Sequence, residues 1–295
     1  MAMDKMTVGK VEVVSFSDCV AEIDACNFFS NRSVKDFGAY GEHIDENCKV
    51  KGGINVAAFL VVSGGQRILV DAGVGPGPVA AMGNVEGRLP RVMKERGVDP
   101  ESIDVVVATH LHFDHIGWMA VTSGGKVRRT FPKARYIVPK VDWELLRNPS
   151  KKPAGARPYA FSEEAIGLFV DKSKELGEGL AKVGDLELVE GKKAVTAEVE
   201  TVPTPGHTPG HQSLMITSAG ERAFILGDVA HLRVQLEIPD WEAHADVQPE
   251  LGRKTRRETV EWLEREGIKV AAGHFPAPGF GRVVRGKGRR YWRAL

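Results

Sequence analysis

The chain has 295 residues, 40 Lys plus Arg against 39 Asp plus Glu, and a formal net charge of +1. That balance leaves no surplus of positive charge to neutralise a phosphate backbone, which excludes a dedicated nucleic-acid binder. No apolar run approaches the ~20 residues that span a bilayer, and 42% hydrophobic with 27% charged residues describes a globular chain able to bury a large core.

In chain order, Met1 to Met6 carries mixed charge and lacks the apolar core of a signal peptide. Val8 to Ser15 is rich in valine and reads as a strand. Residues 17–52 carry little regular pattern but hold Phe28, Phe29, Phe37 and Tyr40. A long irregular segment in a compact protein reads as a lid over a site or as an arm for a homodimer. The three cysteines, Cys19, Cys26 and Cys48, show no C-x-x-C spacing, so three reduced thiols in a cytoplasmic protein are expected.

Gly53 to Ser63 and Gln66 to Val70 read as strands split by the Gly64-Gly65 turn. A short helix follows at Leu89 to Arg96, then a strand at Ile103 to Ala108 and another at Tyr136 to Val138. Residues 140–180 form a helical insertion, with helices expected at Val141 to Arg147 and Ser162 to Leu176. Strands return from Leu186, clearest at Val195 to Val202, Ser213 to Thr217 and Arg222 to Leu226. Residues 250–266 are helical by composition and stop at Gly267. Ile268 to Ala272 is a last buried strand. Strands then helix, followed by strands then helix, predicts two similar halves in a single domain over 1–295, each a mixed sheet covered by helices.

The informative feature is Thr109-His110-Leu111-His112-Phe113-Asp114-His115, four potential metal ligands within six residues at a strand end. On a continuing strand His110 and His112 share a face, and a turn beyond it can aim Asp114 and His115 at a second point. Imidazole and carboxylate suit zinc, with iron, manganese or cobalt as alternatives. No cysteine enters the cluster, which points away from a closed structural zinc knot.

With H-x-H-x-D-H in place, the sequence resembles the metallo-β-lactamase superfamily from about residue 54 to 285. Asp71-Ala72-Gly73 matches an early Asp-x-Gly turn. Thr204-Pro-Gly-His207 supplies a downstream histidine, Leu226-Gly-Asp228 an aspartate and Ala272-Gly-His274 a last histidine. The resemblance implies a four-layer αββα sandwich and two divalent metal ions, zinc first. It assigns His110, His112 and His207 to one metal, Asp114, His115 and His274 to the other, and Asp228 to both. A hydroxide bridging the metals would attack a carbonyl or phosphoryl centre. Asp71 and His211 are expected to orient ligands rather than touch substrate.

The stretch Gly227 to Leu236 looks most like the lactonase and methyl-parathion-hydrolase branch. Many lactonases there carry Tyr three residues after the bridging Asp; this chain has His231, as the organophosphate-hydrolase subgroup does. The expected function is therefore opening of a lactone or cleavage of a carboxylic ester of a small hydrophobic substrate, with catalytic roles for Asp114, Asp228 and His231. The alternatives are a phosphotriesterase using the same site and a persulfide dioxygenase with one iron. Phe28, Phe29, Phe113, Trp118, Trp241, Phe275 and Phe280 are candidates for an aromatic substrate wall. No nucleic-acid or membrane partner is implied.

Overall fold

The computed structural model describes residues 4–29, 32–148, 156 and 174–295. The first sheet has the order β1 (Lys5–Val8), β2 (Val11–Ala21), β3 (Ile54–Ser63), β4 (Gln66–Val70), β5 (Val105–Val107), β8 (Arg135–Pro139) and β9 (Leu186–Val189). The second runs β10 (Lys193–Ala194), β11 (Val199–Pro203), β12 (Gln212–Ser218), β13 (Glu221–Ile225), β14 (Lys269–Ala271), β15 (Phe280–Gly286) and β16 (Arg289–Ala294). A separate hairpin joins β6 (Ala120–Ser123) to β7 (Lys126–Arg129). Both large sheets are mixed, with β4, β5, β8 and β9 parallel in the first and β13 parallel to β14 in the second.

Apolar residues on the inner faces, among them Val13, Phe59, Val105, Leu214, Ile225 and Phe280, meet in one core between the sheets. The outer face of the first sheet packs on α2 (Leu89–Glu95), α3 (Phe113–Ile116) and α5 (residues 174–182), through Leu89, Met93, Ile116 and Leu180. The outer face of the second packs on α7 (Pro249–Glu266), through Val260 and Leu263. This is the helix–sheet–sheet–helix arrangement expected. α7 ends on Gly267 in the left-handed conformation (φ 60°), a glycine C-cap of the kind the sequence signals. The expected helix at Ser162 to Leu176 lies mostly outside the described residues, and α4 (Lys140–Arg147) is the described helix of the insertion's first half.

The described residues of 17–52 pack onto the body of the chain. β2 runs on to Ala21, α1 spans Ala25–Phe28 and a 3-10 segment spans Val34–Tyr40. Their buried side chains, Phe28, Phe29, Phe37 and Ile44, form a small core with Leu232, Val234 and Trp241 from the chain that follows Asp228. A disulfide joins Cys26 to Cys48, Cα atoms 5.8 Å apart, leaving Cys19 as a buried free thiol. This corrects the expectation of three reduced thiols. The two cysteines lie 22 residues apart, and a bridge between Asp24 and Lys49 brings them together. Structural disulfides belong mainly to oxidising compartments, so the cysteines no longer favour a cytoplasmic setting. No helix among the described residues is long and apolar enough to cross a membrane.

Candidate metal centre

Each candidate ligand sits just beyond a core strand. β5 ends at Val107, and the chain is then caught by Asp71, which accepts from Thr109 N (2.8 Å) and Thr109 Oγ1 (3.0 Å). The four-residue α3 follows and turns Asp114 and His115 toward the cavity. His207 follows β11, Asp228 follows β13 and His274 follows β14. The two halves are stitched at this point by β12, where Gln212 N donates to Thr109 O (2.9 Å) and Gln212 Nε2 to Ala108 O (3.0 Å). Gly227 is required beside Asp228. Its φ is +56°, and a Cβ there would come within 2.6 Å of His211 Nε2.

Two groups of donor atoms result. His110, His112, His207 and Asp228 converge in one, all within 4.8 Å of one another. His112 Nδ1 lies 3.0 Å from His110 Nε2 and 2.8 Å from His207 Nε2. Asp114, His115 and His274 converge in the other, with His115 Nε2 and His274 Nε2 3.3 Å apart. Asp228 lies between them. Its Oδ2 faces the first group, 3.2 Å from His207 Nε2, and its Oδ1 faces the second, 3.3 Å from both His115 Nε2 and His274 Nε2.

The outer nitrogens of these rings are already committed. His274 Nδ1 donates to Asn55 O (2.9 Å), His115 Nδ1 to Asp71 Oδ2 (2.9 Å) and His207 Nδ1 to Asp246 Oδ1 (3.0 Å). Thr109 Oγ1 donates to Asp71, so it accepts from His110 Nδ1 (3.0 Å). In their neutral forms the inner nitrogens of His115 and His274 are then lone pairs facing each other 3.3 Å apart, an arrangement that calls for a proton or a metal ion between them. Asp228 Oδ1 is buried and makes no hydrogen bond. Orphaned carboxylate oxygen, opposed imidazole lone pairs and outer nitrogens held by carboxylates and carbonyls are the donor chemistry of divalent metal sites.

The electrostatics divide the rings into those held neutral and those whose carboxylate neighbours favour positive charge. Burial, followed by neighbouring rings, holds His110 and His112 well below the ordinary imidazole range, in the neutral form a metal requires. Burial also opposes charge on His115 and His207, but the carboxylates around them prevail. Asp228, Asp71 and Asp114 raise His115 well above its usual value, and Asp228 with Asp246 raises His207 to about 9. Burial would likewise favour a neutral Asp228, yet His274, His115 and the other rings hold its carboxyl well below the usual carboxylate range.

His211 stands outside both groups. Its Nε2 accepts from Asp228 N (2.9 Å) and its Nδ1 donates to Thr204 O (3.0 Å), so the ring orients the Asp228 backbone. Burial, with the charge of His207, lowers it to about 3, and it remains neutral. His231 Nε2 lies 3.1 Å from Asp228 Oδ2 but out of hydrogen-bond alignment, leaving both its ring nitrogens unpartnered.

A cavity of about 220 Å³ opens onto both groups, lined by His231 and by Phe28 and Phe113 among the candidate aromatics. Ile23, Ile54 and Met82 extend the apolar wall, while Glu22, Asp24 and Asn27 supply its polar part. The other five candidate aromatics do not line this cavity. Phe29 and Trp241 pack edge-to-face behind Phe28 (5.4 Å between centroids). Trp118 donates to Asp18 Oδ1 (3.0 Å), Phe275 packs on Trp292 (4.9 Å) and Phe280 on Phe59 (5.8 Å). Phe113 and Phe275 each follow a candidate ligand directly, yet only Phe113 lines the cavity. Asp246 and Arg256 were not legible as site residues. The first touches His207 from 39 positions away, and no local motif announces it.

The family model described as "Metallo-beta-lactamase superfamily" matches residues 52–274. N-acyl homoserine lactonase AiiA from Bacillus thuringiensis subsp. kurstaki is 24% identical over 190 residues, 64% of this chain and 62% of the relative. The chain thus spans about three fifths of that relative's length. An N-acyl homoserine lactonase from Bacillus sp is 27% identical over 290 residues, 91% of this chain and 94% of the relative. Among solved structures, AidC, a dizinc quorum-quenching lactonase in complex with the product N-hexnoyl-L-homoserine, superposes with a TM-score of 0.84 at 20% identity, covering 99% of this chain and 96% of its own. Hydrolase AbOPH of the beta lactamase superfamily superposes with 0.78 at 23% identity, covering 99% and 96%. At those identities the structures speak for the fold, and the match over 52–274 speaks for descent: the chain belongs to the metallo-beta-lactamase superfamily.

Proposed function

We propose that the protein is a dinuclear metallohydrolase that opens the ring of a small lactone, with zinc as the resident metal. The observation that carries this reading is Asp228, whose two oxygens face two separate sets of donors while Oδ1 lacks any hydrogen bond. His110, His112 and His207 would hold one ion and Asp114, His115 and His274 the other, with Asp228 between the two groups. Metal at these groups would supply an activated water as nucleophile and positive charge for the developing oxyanion.

The chain's own residues do the rest. Asp71, Asn55 and Asp246 fix which nitrogen each histidine presents. Phe28 stacks edge-on against His231 (5.1 Å between centroids), so an apolar substrate group is held beside that imidazole. Burial lowers His231, which keeps the ring neutral with one N–H to give to a departing alkoxide or an oxyanion. The cavity is smaller than the roughly 300–1,000 Å³ of drug-sized sites, which suits a small substrate. The lactonase relatives support a lactone over other esters. We propose further that 1–295 acts as one domain, with residues 17–52 forming a fixed wall of the site.

A screen of the zinc-loaded protein against acyl lactones, aryl esters and a paraoxon-type phosphotriester tests this reading. Lactones should exceed the others by at least about tenfold in kcat/KM, roughly 1.4 kcal/mol of transition-state preference. Phosphotriester turnover equal to that of lactones would move the assignment to organophosphate hydrolysis.

A further inference from the structure

Arg256 is among the largest fully buried side chains of the described residues, 1% exposed, and it lies inside α7, away from the cavity. A buried guanidinium is costly unless its donors are met, and here they are met by three separate segments. Nη2 and Nη1 donate to Asp246 Oδ2 (3.0 and 3.4 Å), Nε to Pro239 O (3.0 Å) and Nη1 also to Val229 O (3.4 Å).

Each acceptor leads to the site. The other oxygen of Asp246 takes the Nδ1 proton of His207. Val229 directly follows Asp228 in the turn Gly227–Val229. Pro239 closes the stretch that carries His231. The loop around Asp246 is also docked on the His207 turn, Val247 N donating to His207 O and Gln248 N to Gly206 O (both 2.9 Å). One planar fork therefore ties the carboxylate behind His207 to the backbone beside Asp228.

We propose that Arg256 is a positioning residue, which through Asp246 and Val229 sets the separation of His207 Nε2 from Asp228 Oδ2 and so tunes metal affinity at the His110–His112–His207 group. This rests on the reading of that group as a metal site. The Asp114–His115–His274 group gains nothing comparable, because its outer nitrogens are held by Asp71 and Asn55 instead. Lysine cannot replace the arginine, since a single ammonium cannot reach three acceptors held in the plane of a fork.

The test is Co(II) titration of metal-depleted protein, followed by the d–d absorption, in two backgrounds. His274→Ala leaves the first group and His110→Ala the second. Arg256→Lys should weaken Co(II) binding roughly 10–100-fold in the first background, the range found when partners of metal ligands are lost, and less than about threefold in the second. Asp246→Asn, which keeps side-chain volume, should reproduce the same selectivity and serves if Arg256→Lys does not fold. Equal weakening in both backgrounds, or none in either, would overturn the proposal. Absence of Co(II) uptake by the unsubstituted protein would instead overturn the metal-site reading on which it rests.

Discussion

At the residue scale, the histidines that converge on Asp228 with a ring nitrogen already engaged differ from His231, which lies beside them with neither engaged. His231 lies within 3.1 Å of Asp228 yet has neither ring nitrogen bonded, while every other histidine around Asp228 has an outer or inner nitrogen engaged. His231→Ala should retain both metals and lose about 10²–10⁴ in kcat, the range of a positioned general acid, with the largest losses on lactones and esters of poor leaving groups. Metal analysis alongside the rates decides the matter. If the variant loses an ion, His231 is a ligand or a support for Asp228 and not a proton donor. The candidate ligands were legible because H-x-H-x-D-H packs four donors into six residues at a strand end, and ordered Gly-His and Gly-Asp turns follow. His211 and Asp71, read as orienting groups, are found behind Asp228 and His115 respectively. Asp246 and Arg256 were not legible, since a carboxylate and a guanidinium that meet in the fold leave no spacing in the chain.

At the element scale, the regular pieces announced themselves. The Gly64-Gly65 turn and the glycine stop at Gly267 mark β3, β4 and α7 within a residue or two, whereas the single strand expected at Val8 to Ser15 is a hairpin of β1 and β2, with β2 running on to Ala21. The segment 17–52 did not, because its order comes from packing on the chain beyond Asp228 and from a disulfide, both long-range. Closing a loop of 22 residues limits the unfolded chain by about 3 kcal/mol on the chain-entropy model. The double variant Cys26→Ser, Cys48→Ser should lose stability of that order in urea unfolding. Because α1 carries Phe28 and Asn27 into the cavity wall, the same variant should raise KM more than it lowers kcat. An unchanged KM, with stability lowered, would show that the staple serves folding alone.

At the scale of the whole molecule, the centre lies on the seam between two halves. The first sheet delivers His110, His112, Asp114 and His115 from the end of β5, and the second delivers His207, Asp228 and His274 from the ends of β11, β13 and β14. Neither half alone has a complete set, so the inter-sheet core of Phe59, Ile68, Leu214 and Ile225 is what brings the seven side chains within reach. Two mixed sheets covered by helices followed from element order and their four-layer stacking from the family resemblance, whereas the docking of the halves at Gln212 depends on contacts that only the folded chain shows. Joint action of two metals at Asp228 is tested by titrating Zn(II) into chelator-stripped protein while following the initial rate of lactone opening. No turnover is expected without metal, and the rate should rise to a plateau at two equivalents per chain. A plateau at one equivalent, or turnover by the metal-free protein, would contradict it.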